Sequence, residues 1–290
     1  MSQDRLSSTL EIDRAAPREI VRLIQEQDRS VADAVEQAAE KIAHAIDAIT
    51  DRLRSGGRLF YVGAGTSGRI AMLDASELPP TYGTHPSLVS VIMAGGNNAY
   101  FAAVEGAEDS EEDGIAAVDA QVTENDAVVG VAASGTTPFT VAAIRKANML
   151  GALTVGVTSI ENSPLVRECD IPIVAVTGPE VIMGSSRMKS GTAQKLILNT
   201  ISTGVMVRLG KVYSNLMVEM PPTNIKLTRR TAQMVELATG APRARCEEAL
   251  AQCGGNIKAA IWLIKREGTP EEAVAALARS SGNLREALDA

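Results

Sequence analysis

Residues 58–80 read RLFYVGAGTSGRIAMLDASELPP. A short apolar run, 58–62, meets a glycine-rich turn, and residues 68–78 behind the turn carry helical patterning. Strand, glycine turn and helix in that order open a βαβ unit. Gly63, Gly65 and Gly68 stand at the spacing of a dinucleotide-binding turn. Two features favour a different anion. Thr66 and Ser67 fill the middle of the turn, where hydroxyls and the free N–H groups of a helix start suit a terminal phosphate. The acid that would hold a ribose after the second strand is missing, since residues 92–98 read IMAGGNN. Alone, the stretch is also compatible with an ordinary tight turn.

Outward from this stretch the same alternation continues. Residues 89–94, 127–132, 153–157 and 171–176 are short apolar runs, and 113–122 and 139–150 have helical spacing. The expectation is an α/β fold, a parallel-sheet αβα sandwich with strands covered on both faces. Residues 17–54 predict a helical N-terminal segment ended by Gly56 and Gly57, and 189–209 predict a long helix. The predicted boundaries are a helical segment over 1–55, an α/β domain over 56–220 and a small all-helical region over 221–290. That tail holds a repeat. Ala249-Leu250 with Gly255-Asn256-Ile257-Lys258 returns as Ala276-Leu277 with Gly282-Asn283-Leu284-Arg285. Gly-Asn suits a helix stop followed by a capped start, which predicts two helical hairpins like a ubiquitin-associated fold.

Composition narrows the function. The chain has 290 residues, 45% of them apolar but only 3% aromatic, so the core is expected to be built from aliphatic side chains. A net charge of −7 without a basic run argues against nucleic acid. Three cysteines without C-x-x-C spacing and two histidines, His44 and His85, argue against a disulfide framework, a metal site or a Ser-His-Asp triad. The N-terminus is charged where an export signal is apolar, and no stretch approaches the length of a membrane span. A cytoplasmic protein is expected.

Two further loops resemble the first in chemistry. Residues 133–138 read ASGTTP after the third strand, and 184–189 read GSSRMK before the long helix. Hydroxyl-rich loops after two parallel strands converge at the carboxyl edge of one sheet, where open α/β folds bind ligands. The candidate sugar-phosphate contacts are Thr66, Ser67, Ser134, Thr136, Thr137, Ser185, Ser186 and Lys189. Glu77, in DASELPP, and Glu108, in EGAEDS, are candidate acids, although spacing alone fits solvated surface carboxylates equally well.

In combination these residues resemble the N-acetylmuramic acid 6-phosphate etherases. The resemblance rests on GAGTSGR at 63–69, LDASELPPT at 73–81, AGG at 94–96, AVEGAEDS at 103–110, ASGTTP at 133–138, GSSRMKSGTAQKLILN at 184–199 and KVYSNLMVEM at 211–220, followed by Asn224-Ile225-Lys226-Leu227. It runs from about residue 5 to 265. Thr136 departs from the arginine that such proteins often carry in this loop, which touches the anion's geometry and not the acids. The resemblance implies a sugar isomerase (SIS) domain with a helical C-terminal region, and release of D-lactate by elimination and water addition without metal or cofactor. It implies Glu77 as proton donor to lactate and Glu108 as the base at C2, in a homodimer with the site near the interface. A donor role requires Glu77 to hold its proton near neutral pH, so burial or a neighbouring carboxylate such as Asp74 is expected around it. The rival readings are a non-catalytic sugar-phosphate sensor, like the glucokinase regulatory protein, and an aldose–ketose phosphate isomerase. A sugar-responsive transcription factor would need a basic helix-turn-helix segment that the first 55 residues lack.

Overall fold

A computed structural model of the protein describes residues 5–221 and 225–290. Two compact units arise. One holds the residues up to Ser76 with Ser87–Ser202, the other Glu77–Pro86 with Thr203–Ala290.

The first unit is built on five parallel strands: β1 Leu59–Gly63, β2 Val89–Met93, β3 Ala127–Val131, β4 Leu153–Thr158 and β5 Ile171–Val174. Their order is β2-β1-β3-β4-β5. Gly63 pairs with Met93 on one side and Val131 on the other, so the carboxyl ends of these three strands are level. Every residue of β1 and β3 is buried, as expected of a parallel strand covered on both faces. On one face Phe60, Val62 and Val128 pack with Phe139, Ile144 and Leu165. These come from α5 Pro138–Met149 and α6 Pro164–Glu168, with α4 Glu111–Asp119 alongside.

The 17–54 segment is two helices, α1 Pro17–Glu36 and α2 Ala39–Arg54. At the join the Ala38 N–H donates to the Val35 carbonyl, three residues back, and the turn tightens. The segment does not stand apart from the sheet. The buried stripe Ile42, Ala45, Ile49 and Leu53 belongs to α2, which packs on β4 and β5. The division between the two units further along falls at Ser202, inside α7 Lys189–Arg208. The helix α3 runs Gly65–Tyr82, starting earlier and ending later than its periodicity suggests, with Pro79 and Pro80 in its last turn. Gly68 lets it start close to the sheet, because a Cβ there would lie 2.1 Å from Met93 Sδ.

The second unit contains a hairpin of β6 Val212–Tyr213 and β7 Leu216–Met217. Helices α8 Ile225–Thr239, α9 Arg243–Gln252, α10 Ile257–Arg266, α11 Pro270–Arg279 and α12 Leu284–Asp289 follow. Val235, Cys246, Leu250, Ile261, Trp262 and Leu284 form its core. Both repeated asparagines cap helices, Asn256 accepting from Ala259 N and Asn283 from Arg285 N and Glu286 N. Trp262 Nε1 donates to the Ala287 carbonyl at 2.9 Å and so ties the two hairpins.

Candidate functional site

The strand order reverses between β1 and β3, so the loops that follow them stand side by side at the carboxyl edge of the sheet. The first loop turns through Gly65, at φ +53°, and presents Thr66 and Ser67 at the start of α3. The second is built by its own hydrogen bonds. Thr136 donates to Ser134 Oγ from N at 3.2 Å and from Oγ1 at 2.8 Å. Gly135, at φ +65°, sits against Ser163, and its carbonyl accepts from Leu165 N at 3.0 Å. Thr158 Oγ1 and Ser159 N hold the Ala133 carbonyl. Pro138 then starts α5.

Between the loops lies a cavity of about 480 Å³. Thr66, Ser67, Ser134, Thr136 and Thr137 line it, with Gly184 and Ser186 from the third loop and with Glu108 and Asp109. No lysine or arginine is among these lining residues. An anion here would be held by hydroxyls and backbone N–H groups, the means available at a helix start. A second cavity of about 230 Å³ adjoins it and shares Ala64, Gly65, Glu108 and Asp109.

Glu108 reaches both cavities because two glycines bend the chain before it. Gly95, at φ +81°, lets the 103–107 stretch close onto the end of β2, since a Cβ there would lie 2.8 Å from Val104 Cβ. Gly106, at φ +73°, precedes the 3-10 turn Ala107–Asp109 that carries Glu108. Ser110 ends the turn and accepts from Asp113 N as the cap of α4. Glu108 is exposed.

Two expected groups lie outside both linings. Ser185 is half-buried and is not part of either lining. Lys189 is buried at 2% exposure, and its Nζ donates to Gln27 Oε1 at 3.3 Å. Burial pushes its ammonium below the usual lysine range, against the opposing charges of Glu180 and Asp28. The N–H groups of Lys189 and Ser190 both donate to the Glu180 carboxylate, at 2.9 and 3.0 Å. The positive end of α7 is thus already met by an anion from its own chain. Glu77 belongs to the second unit, whereas both linings come from the first. It lies exposed on α3. Asp74 is not a free neighbour. Its carboxylate is buried and accepts from Tyr61 Oη at 2.8 Å, Ser202 Oγ at 2.9 Å and Asn199 Nδ2 at 2.5 Å. Burial and the Asp74 charge push the Tyr61 phenol well up, so it remains the donor in that bond.

The cation of the smaller cavity was not singled out by pattern. Arg69, the last residue of GAGTSGR, lines the smaller cavity. Its Nε donates to the Ala99 and Tyr100 carbonyls at 3.1 and 3.2 Å, and Nη2 to Ala102 at 3.3 Å. It clips the stretch between β2 and Glu108. The signal was present as a lone arginine in a glycine-rich phosphate-type turn.

This parallel sandwich with paired hydroxyl loops is a SIS domain: the SIS family profile matches residues 100–203, and that of the glucokinase regulatory protein N-terminal SIS domain matches 41–148. Over 261 residues the chain is 56% identical to the N-acetylmuramic acid 6-phosphate etherase of Symbiobacterium thermophilum, covering 90% of this chain and 87% of that one. It is 48% identical to that of Clostridium beijerinckii, covering 99% and 95%. The chain belongs to the N-acetylmuramic acid 6-phosphate etherase family. Phosphoheptose isomerase from Neisseria gonorrhoeae shares the fold, at a TM-score of 0.50 and 14% identity over 66% of this chain and 99% of that one.

Proposed function

We infer that this chain cleaves the D-lactyl ether of N-acetylmuramic acid 6-phosphate, giving N-acetylglucosamine 6-phosphate and D-lactate in the recycling of peptidoglycan amino sugars. The observation that carries the reading is the cavity where the hydroxyl loops after β1 and β3 meet, with Glu108 on its wall, in a chain of this family.

An ether at C3 offers water no carbonyl to attack. Opening of the sugar ring exposes an aldehyde at C1, which acidifies the C2 proton. Glu108 takes that proton, the C3–O bond breaks, and a proton from Glu77 leaves with the lactate oxygen. Water then adds across the C2–C3 double bond of the unsaturated aldehyde. Each carboxyl contributes on the order of 10²–10⁴-fold as a general acid or base. Thr66, Ser67, Ser134, Thr137 and Ser186 hold the phosphate and sugar hydroxyls; Thr136 shapes the second loop through Ser134. The role of Glu77 rests on its place in LDASELPPT. The enzyme works as a cytoplasmic homodimer. No helix among the described residues is long and apolar enough to cross a membrane.

The test is release of D-lactate from N-acetylmuramic acid 6-phosphate by the purified chain. Lactate from the wild type, lost in Glu108→Gln and in Glu77→Gln while substrate still raises the melting temperature, supports the assignment. A folded wild type that binds the substrate without releasing lactate would move the reading to a sugar-phosphate sensor. Interconversion of an aldose and a ketose phosphate would move it to an isomerase.

A further inference from the structure

The two adjoining cavities pose a question of charge. The substrate inferred above carries two anions, a phosphate at C6 and a lactyl carboxylate at C3. The larger cavity has the hydroxyl loops. The smaller one is lined by three carboxylates, Glu105, Glu108 and Asp109, and by a single cation, Arg69. Without that cation a second anion would meet only like charge there. Glu108 lies on the wall common to both cavities, together with Ala64 and Gly65.

Given that reading of the reaction, we propose that the smaller cavity receives the C3 lactyl arm and that Arg69 is the specificity residue that binds its carboxylate. The arrangement follows from the ring. With phosphate at the hydroxyl loops, C2 and C3 are at the opposite end of the sugar, and the base for C2 sits where the cavities join. The lactyl group on C3 then extends past Glu108 into the space beside Arg69. The guanidinium is already fixed by its bonds to the Ala99, Tyr100 and Ala102 carbonyls. Those bonds use Nε and Nη2, and among the described residues Arg69 makes no ion pair and no hydrogen bond through Nη1. A guanidinium held in place with a free N–H pair loses little freedom on taking a carboxylate. A sugar phosphate without the lactyl group would leave that pair empty, so the same contact separates the ether from the plain amino-sugar phosphate.

The experiment compares N-acetylmuramic acid 6-phosphate with its lactyl carboxamide, which keeps shape and loses charge. Wild type, Arg69→Met and Arg69→Lys are assayed for release of lactate or lactamide. Loss of a charge-assisted hydrogen bond lowers kcat/KM about 10- to 100-fold. The ratio of kcat/KM for carboxylate over carboxamide is therefore expected to fall by about that factor in Arg69→Met, mainly through KM. Arg69→Lys, which keeps the charge without the fork, is expected to lose a few-fold and to serve if Arg69→Met does not fold. Equal losses on both substrates, with the ratio unchanged in a folded variant, would show Arg69 to be a loop clip only and overturn the proposal. A wild type that releases neither product overturns the etherase reading instead, which keeps the two failures apart.

Discussion

Gly135→Ala isolates the device that shapes the second hydroxyl loop. The residue is at φ +65°, and a Cβ built on it would lie 2.2 Å from Ser163 Oγ, 2.4 Å from Ser163 Cβ and 2.8 Å from Thr158 Oγ1. Two costs add. The left-handed conformation costs about 1–2 kcal/mol for any residue with a Cβ. Forcing a methyl into a filled site costs about 1–3 kcal/mol more. Gly65→Ala provides the control, because Gly65 is also left-handed, at φ +53°, but a Cβ there meets nothing within 4 Å. Urea unfolding should give a loss of about 2–5 kcal/mol for Gly135→Ala and about 1–2 kcal/mol for Gly65→Ala. Ser163→Gly removes the nearest obstacle. Its hydroxyl is buried and has no hydrogen-bond partner among the described residues, so little is lost with it. The double variant Gly135→Ala with Ser163→Gly should recover most of the packing cost and none of the conformational cost. Lactate release should follow the same order, since a shift of the loop by about 1 Å costs on the order of 100-fold in rate. If Gly135→Ala is no less stable than Gly65→Ala, or if Ser163→Gly rescues nothing, the packing account of this loop is wrong.

Glu108→Gln should lower kcat at least about 100-fold with KM little changed, as for a base that acts only in the transition state. Asp126 tests an acid limb. Burial alone would raise its carboxyl, but bonds from Arg58 and Thr123 outweigh it and hold the group below the usual carboxylate range. A depressed native value gives stability that is present above the unfolded value and lost as pH falls through the folded one. Asp126→Asn should therefore cost about 2–4 kcal/mol at neutral pH and flatten the fall in melting temperature below about pH 4. Cys169 should resist alkylation. Burial pushes its thiol up to about 11, so only ~0.1% is thiolate at pH 8. Rapid single-site labelling of Cys169 with iodoacetamide at that pH would contradict its placement.

The strands were legible because their chemistry is local. Runs such as 127–131 are apolar throughout, as a strand covered on both faces requires, and their short length and flanking glycine turns mark where each ends. The hydroxyls of Thr66, Ser67, Ser134 and Thr137 could be chosen for the same reason: they follow strands in chain order, and parallel strands put such loops on one edge. Lys189 shows the limit. A lysine beside two serines at a helix start reads as an anion site, yet Glu180, nine residues before Lys189, already takes the N–H groups there. Arg69 shows the reverse, since its value depends on the carbonyls of Ala99, Tyr100 and Ala102, thirty residues away.

The sequence by itself determined the alternation of strand and helix, the positions of the glycine turns, the capped repeats of the tail and the types of side chain available for chemistry. All of these depend on neighbours within a few residues, where backbone sterics and hydrophobic period act. Only the tertiary structure decided the strand order, and with it that the loops after β1 and β3 share a cavity with Glu108 on its wall. It likewise turned Asp74 inward to Tyr61, Asn199 and Ser202 and left Glu77 exposed. Those outcomes follow from how packed elements satisfy buried polar groups across long separations in the chain, and local pattern carries no record of that.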